Sequence, residues 1–359
     1  MKIKFPIACL AALACAAFAL PVRADDAKAA APAAKPQELN LYIWAEYIDP
    51  AIIAQFEKQN NCKVVISLYE SNEEMMAKLQ AGGSSQYDLV VPSDFIMRSL
   101  IKLNLVKPLD PAKIPNLANI KDSLANPPYD PGNKFSIPYQ WGTVGIVYNK
   151  DKFKAPVTSW KDLLEPTDGI KFMFFDSERE MIGGALRYEG FSVNTLDKGE
   201  LMKAADVMVA DKKLPGFMGF EANVGGLNKV VAGTVDIAVC YNGDALKAIG
   251  DHKNLGFCIP KEGTVVWVDN LCIPRDAPNP ELAMKFMNFI LDAKIGAQLS
   301  NFNQYATPNK ASLPMIKPDD LANPAIYPDK ATEARLELVQ EVPNASAVFG
   351  ELWKIVKTR

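Results

Sequence analysis

The sequence has one histidine, His252, among 359 residues, and no Cys-x-x-Cys pair. Histidine-based metal sites and Ser-His-Asp chemistry therefore have little to draw on, and no metal or cofactor is expected. Basic residues are not in excess. Against 39 Lys and Arg stand 42 Asp and Glu, so no basic excess exists to drive nucleic-acid binding through phosphate contacts. Glycine, proline and charge are too ordinary for a fibrous or disordered chain. The apolar run Phe5 to Leu20 is rich in alanine and shorter than the ~20 residues a spanning helix needs.

What is present first is an export signal. Lys2 and Lys4 precede that run, and Val22-Arg23-Ala24 follows it as a small-x-small cleavage site. Cleavage after Ala24 removes three basic residues and no acid, so the mature chain is more acidic than the full-length net charge of −3. An acidic chain favours a cationic ligand through steering. Cleavage also removes Cys9 and Cys15, leaving Cys62, Cys240, Cys258 and Cys272. Export permits disulfides, but three of these four sit in apolar, strand-like runs, where buried free thiols are an equal reading.

The length predicts about two domains. Asp25 to Gln37 lacks periodicity and reads as a flexible leader. An α/β pattern then begins. Leu39–Trp44, Cys62–Tyr69 and Tyr87–Val91 read as strands. Between them, Asp49-Pro50 and Ser71-Asn72 open amphipathic helices, and a third helix runs from Phe95 to Leu103. Short connections argue for a parallel, doubly wound sheet. A second set of strands is expected at Lys171–Asp176, Val235–Tyr241 and Leu255–Pro260, with an amphipathic helix over Glu281–Asp292. The extended stretch Thr264–Pro274 is long enough to pass between two domains.

In open α/β sheets, ligands bind beyond the carboxyl ends of the strands. Those ends read Trp44-Ala45-Glu46-Tyr47, Tyr69-Glu70-Ser71, Pro92-Ser93-Asp94-Phe95, Asp176-Ser177-Glu178-Arg179-Glu180 and Tyr241-Asn242-Gly243-Asp244. In the long extended segment, alternation puts Trp267 and Asp269 on one face. Singly, each has an ordinary explanation: Trp267 as core, Asp244 as a turn or cap. Together they bring aromatic and acid to one place repeatedly. An aliphatic amine cation wants that combination, a carboxylate for each ammonium and aromatic faces for the methylenes. Glu178 and Glu180, two apart on a helix, do not face each other and make a poor acid/base pair.

Leu41–Phe56 (LYIWAEYIDPAIIAQF), Tyr69–Leu79 (YESNEEMMAKL), Tyr87–Ser93 (YDLVVPS), Ser136–Trp141 (SIPYQW) and Thr264–Pro274 resemble the spermidine/putrescine-binding proteins, the substrate-binding components of polyamine ABC importers. The resemblance runs from about Glu38 to the C-terminus. It implies a two-lobed α/β periplasmic-binding-protein architecture (type II) with the ligand cleft between the lobes. Lobe 1 would comprise 38–143 and 269–313, and lobe 2 would comprise 144–268 and 314–359.

Carried over by resemblance, the ligand-binding residues are Trp44, Glu46, Tyr47, Ser93, Phe95, Ser177, Glu180, Tyr241, Asp244, Trp267, Asp269, Tyr305 and Gln340. Phe95 stands where many spermidine binders have tyrosine, and Tyr241 where tryptophan is usual. Ser177 replaces an aspartate typical of spermidine binders, while Asp244 resembles one found in putrescine binders. The expected function is a monomeric periplasmic receptor that passes spermidine or putrescine to a membrane permease, without chemistry. Other amine cations such as agmatine or cadaverine, an exported polyamine sensor, and an exported polyamine enzyme are the alternatives.

Overall fold

The computed structural model describes residues 37–340 and 345–359. The expected signal segment, the leader up to residue 36, Cys9 and Cys15 lie outside these residues. The first strand starts at Gln37, which the sequence assigns to the leader. Ten strands are described: β1 Gln37–Ile43, β2 Cys62–Leu68, β3 Leu89–Val90, β4 Ser136–Asn149, β5 Phe172–Phe175, β6 Phe217–Glu221, β7 Ile237–Tyr241, β8 Leu255–Cys258, β9 Val265–Cys272 and β10 Glu337–Leu338.

Local chemistry accounts for the early elements. Asp49 Oδ1 accepts the Ala51 amide at 2.8 Å, and Pro50 begins the helix Pro50–Asn60, which buries Ile52, Ile53 and Phe56. Ser71 Oγ accepts the Glu74 amide at 3.1 Å and opens the helix Asn72–Gln80. β3 is shorter than the Tyr87–Val91 run suggests, because Asp88 is spent as a pin. Its carboxylate accepts the amides of Asn40 at 2.7 Å and Asn279 at 2.6 Å. The helix Pro280–Ile290 buries Leu282, Ala283, Phe286, Met287 and Ile290, the face its periodicity predicts.

The strands order as β2-β1-β3-β9-β4-β7-β5-β6, with β10 on β9 and β8 on β4. β2, β1 and β3 are parallel, as are β7, β5 and β6. The sheet is nevertheless mixed and not doubly wound throughout. β9 runs antiparallel to β3 and β4, and β4 runs antiparallel to β7 and β8. Two long strands crossing in opposite directions join the two parallel sets. The periodicity argument misses β4 because Pro138 and buried Ser136, Gln140 and Thr143 interrupt its apolar pattern. The register shifts between Pro138 and Gln140, a bulge that lets a central strand carry proline. Gln140 is paid back by a reciprocal amide pair with Asn303, at 2.8 and 2.6 Å.

The four described cysteines are free thiols, so the disulfide reading fails for them. Among the described residues, no helix is long and apolar enough to cross a membrane.

Candidate functional site

Three tyrosines each engage a carboxylate. Tyr47 donates to Asp269 Oδ2 at 2.7 Å, Tyr241 donates to Glu180 Oε2 at 3.1 Å, and the Tyr305 hydroxyl bonds Asp244. Their rings form one edge-to-face series with Trp267. Centroid separations are 5.8 Å from Tyr47 to Tyr305, 5.0 Å from Tyr305 to Trp267 and 6.0 Å from Trp267 to Tyr241. Trp267 and Asp269 are both buried, from the shared face of β9 that alternation predicts. Strand, turn and helix termini from both parallel sets therefore converge here.

Two glycines give the rings room. A Cβ on Gly142 would lie 2.5 Å from Trp267 Cζ2, and one on Gly243 would lie 2.5 Å from Tyr305 Cε1. Backbone approaches ring at both positions, so any side chain would displace the aromatic wall.

Both oxygens of Asp269 are held. Ser93 Oγ donates to Oδ1 at 2.6 Å. Asn72 fixes Ser93 in turn, donating to its hydroxyl at 3.1 Å and accepting its amide at 3.0 Å. Tyr139 donates to the Tyr47 carbonyl at 2.7 Å and braces that turn. Asn72 and Tyr139 escape sequence reasoning because their partners lie 21 and 92 residues away.

Burial raises every acid in the set. It lifts Glu180 to about 7, with Ser177 and Tyr241 hydrogen bonds pulling back. It lifts Asp269 to about 6 against Ser93 and Tyr47. Asp244 is also raised by burial, offset by Tyr305 and by the charge of Lys247. The phenols of Tyr47, Tyr241 and Tyr305 are pushed well above the usual tyrosine range, burial being the main cause. These phenols act as neutral donors. Asp269 and Glu180, whose hydrogen-bond partners are neutral hydroxyls, gain most from a cation.

The remaining predicted residues make other contacts. Glu46 has a left-handed backbone with φ 52°, and its exposed carboxylate pairs with Lys247 Nζ at 2.7 Å. Trp44 donates its indole N–H to the Val91 carbonyl at 2.9 Å and packs on Tyr69. Ser177 precedes the helix Glu178–Tyr188 and hydrogen-bonds Glu180. Phe95 and the exposed Gln340 line a small gap together.

Residues 51–328 match the family model described as bacterial extracellular solute-binding protein. The spermidine/putrescine-binding periplasmic protein of Salmonella typhimurium is 34% identical over 329 residues, covering 91% of this chain and 94% of that relative. A putrescine/cadaverine-binding protein of Pseudomonas aeruginosa is 32% identical over 344 residues, covering 92% and 96%. The crystal structure of the spermidine/putrescine ABC transporter substrate-binding protein PotD from Streptococcus pneumoniae superposes with a TM-score of 0.82 at 31% identity, covering 89% of this chain and 98% of that one. The fold is thus the two-lobed α/β architecture of periplasmic binding proteins. The chain belongs to the bacterial extracellular solute-binding proteins and, within them, to the family of the spermidine/putrescine-binding periplasmic proteins.

Proposed function

We propose that this protein is the periplasmic receptor of a polyamine ABC importer, that it binds a linear polyamine in the cleft between its lobes, and that it hands the ligand to a membrane permease. The observation that carries this reading is the set of three tyrosine–acid pairs along one aromatic series. Asp269, Glu180 and Asp244 would pair with ammonium groups. The faces of Tyr47, Tyr305, Trp267 and Tyr241 would cover methylenes and attract the cations, by roughly 0.5–2 kcal/mol per contact. Ser93 and Ser177 aim the acids, and Trp44, Glu46, Phe95 and Gln340 form the margins. No bond is made or broken.

Lobe 1 would comprise 38–143 with 269–313, and lobe 2 would comprise 144–268 with 314–359. Bridges from Ile120 to Asn309 and from Trp141 to Ala306 support the first grouping. Packing of the helix Ala345–Thr358 on the helices Glu178–Tyr188 and Lys198–Asp211 supports the second. We infer export with cleavage after Ala24 and a monomeric mature protein. Calorimetric titration with putrescine, spermidine, cadaverine and agmatine tests the reading. Binding of at least one of the first two at micromolar concentration is expected, and no heat with any of the four overturns it.

A second reading, a receptor that prefers a diamine, has one observation in its favour. Lys247 already neutralises Glu46, leaving one carboxylate fewer for the ligand.

A further inference from the structure

Asn242 is wholly buried, and both halves of its side-chain amide are partnered by distant backbone. It follows Tyr241, the last residue of β7 to pair with β4, where Tyr241 lies opposite Val144. Its Oδ1 accepts the neighbouring β4 amide, that of Thr143, at 3.1 Å, and its Nδ2 donates to the Ala325 carbonyl at 2.8 Å. The orientation is forced, since the Thr143 amide can only donate and the Ala325 carbonyl only accept. β4 comes so close that a Cβ on Gly142 would lie 2.4 Å from Asn242 Oδ1. One buried amide thus ties together three segments distant in sequence, at the first residue of the helix Asn242–Asp251.

The turn that carries Ala325 reaches the aromatic series through the backbone of Tyr305. Tyr327, two residues on, accepts the Thr307 amide at 3.3 Å, and its hydroxyl lies 2.9 Å from Ser300 Oγ. Ser300 spends its one proton on the Tyr305 carbonyl at 2.6 Å, so the Tyr327 hydroxyl is the donor of that pair. The helix start also meets the Tyr305 ring directly, since a Cβ on Gly243 would lie 2.5 Å from Tyr305 Cε1. Two adjacent residues therefore hold Tyr305 in two ways. Gly243 admits its ring, and Asn242 fixes its backbone through Ala325, Tyr327 and Ser300.

We propose that Asn242 is a positioning residue for ligand binding, the clamp that keeps Tyr305 seated on the Gly243–Asp244 turn and so fixes where Asp244 meets an ammonium group. The inference rests on the polyamine reading of the site and deepens it. Being wholly buried, Asn242 acts through Tyr305 and Asp244 and not on the ligand. Without its amide, the Thr143 N–H and the Ala325 carbonyl lose their buried partner, which favours any arrangement in which water reaches them. The simplest such arrangement lifts the Ala325 turn from the helix start and loosens Tyr327, Ser300 and Tyr305 with it. Thr143 and Tyr305 stand in the proposed lobe 1, and Asp244 and Ala325 in the proposed lobe 2. The clamp therefore spans the boundary across which the lobes would close.

The test is a double-mutant cycle, read by calorimetric titration of the mature protein with putrescine, using Asn242→Ala, Asp244→Ser and the two together. Asn242→Ala is expected to weaken putrescine by about fivefold or more, and by less than about twofold where Asp244→Ser is already present. A merely structural role lowers the folded fraction, which titration reads as stoichiometry, and does not couple to Asp244. No loss in the otherwise unmutated chain, or losses in the two backgrounds that agree within about twofold, overturns the inference. If the unmutated protein binds spermidine alone, the cycle is read with spermidine. If it binds neither amine, the polyamine reading itself fails, and the inference with it. Should Asn242→Ala not fold by circular dichroism, Tyr327→Phe, which removes only the hydroxyl at the far end of the brace, is read by the same cycle.

Discussion

The carboxylate of Asp269 accepts a 2.7 Å hydrogen bond from the hydroxyl of Tyr47, a residue 222 positions earlier in the chain. This contact joins the turn after β1 to the middle of β9, the strand that runs between the two parallel sets. It makes Asp269 both an anchor of the site and a reporter of how the two sets are aligned.

Asp269→Asn is expected to weaken polyamine binding by about 30-fold or more. Loss of one partner of a desolvated charge pair costs on the order of 2–5 kcal/mol. Asparagine preserves the shape and can still accept from Tyr47 or Ser93, so the apo protein should stay folded. Titration that finds undiminished affinity would remove Asp269 from the site.

Asp244→Ser is expected to cost putrescine at least tenfold, ~1.4 kcal/mol, and spermidine less. A diamine has only two charges to satisfy, so each carboxylate matters more to it. A larger loss for spermidine would reverse the assignment of ends.

The two buried acids give stability and affinity pH dependences of opposite sign. Glu180 titrates at about 7 and Asp269 at about 6 in the folded chain, above the ordinary 4.5 and 3.8. Between those limits the folded state holds more protons than the unfolded one, so apo stability falls as pH rises from the ordinary values through the folded ones. Ammonium pairing requires the ionised acids, so affinity should rise over the same interval, with protons released on binding. Melting curves and titrations in buffers from about pH 5 to 8 check both slopes. An apo melting temperature that climbs with pH in step with affinity would contradict the assignment.

Ligand should compact the molecule. Two-lobed receptors close by hinge motion, and a ligand that prefers the closed form shifts the population toward it. Small-angle scattering should give a smaller radius of gyration with putrescine or spermidine, and the melting temperature should climb with ligand concentration. Unchanged profiles at saturation would argue against closure.

Lys247→Met frees the Glu46 carboxylate. Exposed ion pairs contribute about 0–1 kcal/mol, so the gain should stay below about fivefold and favour the more highly charged amine. Competition binding of spermidine against putrescine reads this directly, and a preference moving toward putrescine would show that Lys247 does not shield the site.

The legible part of the site was its strand ends. Trp267 and Asp269 share a face because alternation in a strand is obligatory, and helix caps at Asp49 and Ser71 follow from short-range hydrogen bonding. The antiparallel course of β4 and β9 was not legible, since pairing direction depends on where distant segments meet. Nor was the partner of Glu46. The turn at Trp44-Ala45-Glu46-Tyr47 puts that acid at a strand end, but its cation comes from Lys247, 201 residues onward.

The place of β9 in the sheet also bears on how the chain is made. Val90 of β3 pairs with Cys272, so the edge of the first parallel set stays open until some of the last third of the chain is present. Contacts this far apart in sequence close slowly and late. A growing chain would expose an unpaired strand edge for most of its synthesis, which is a hazard for aggregation.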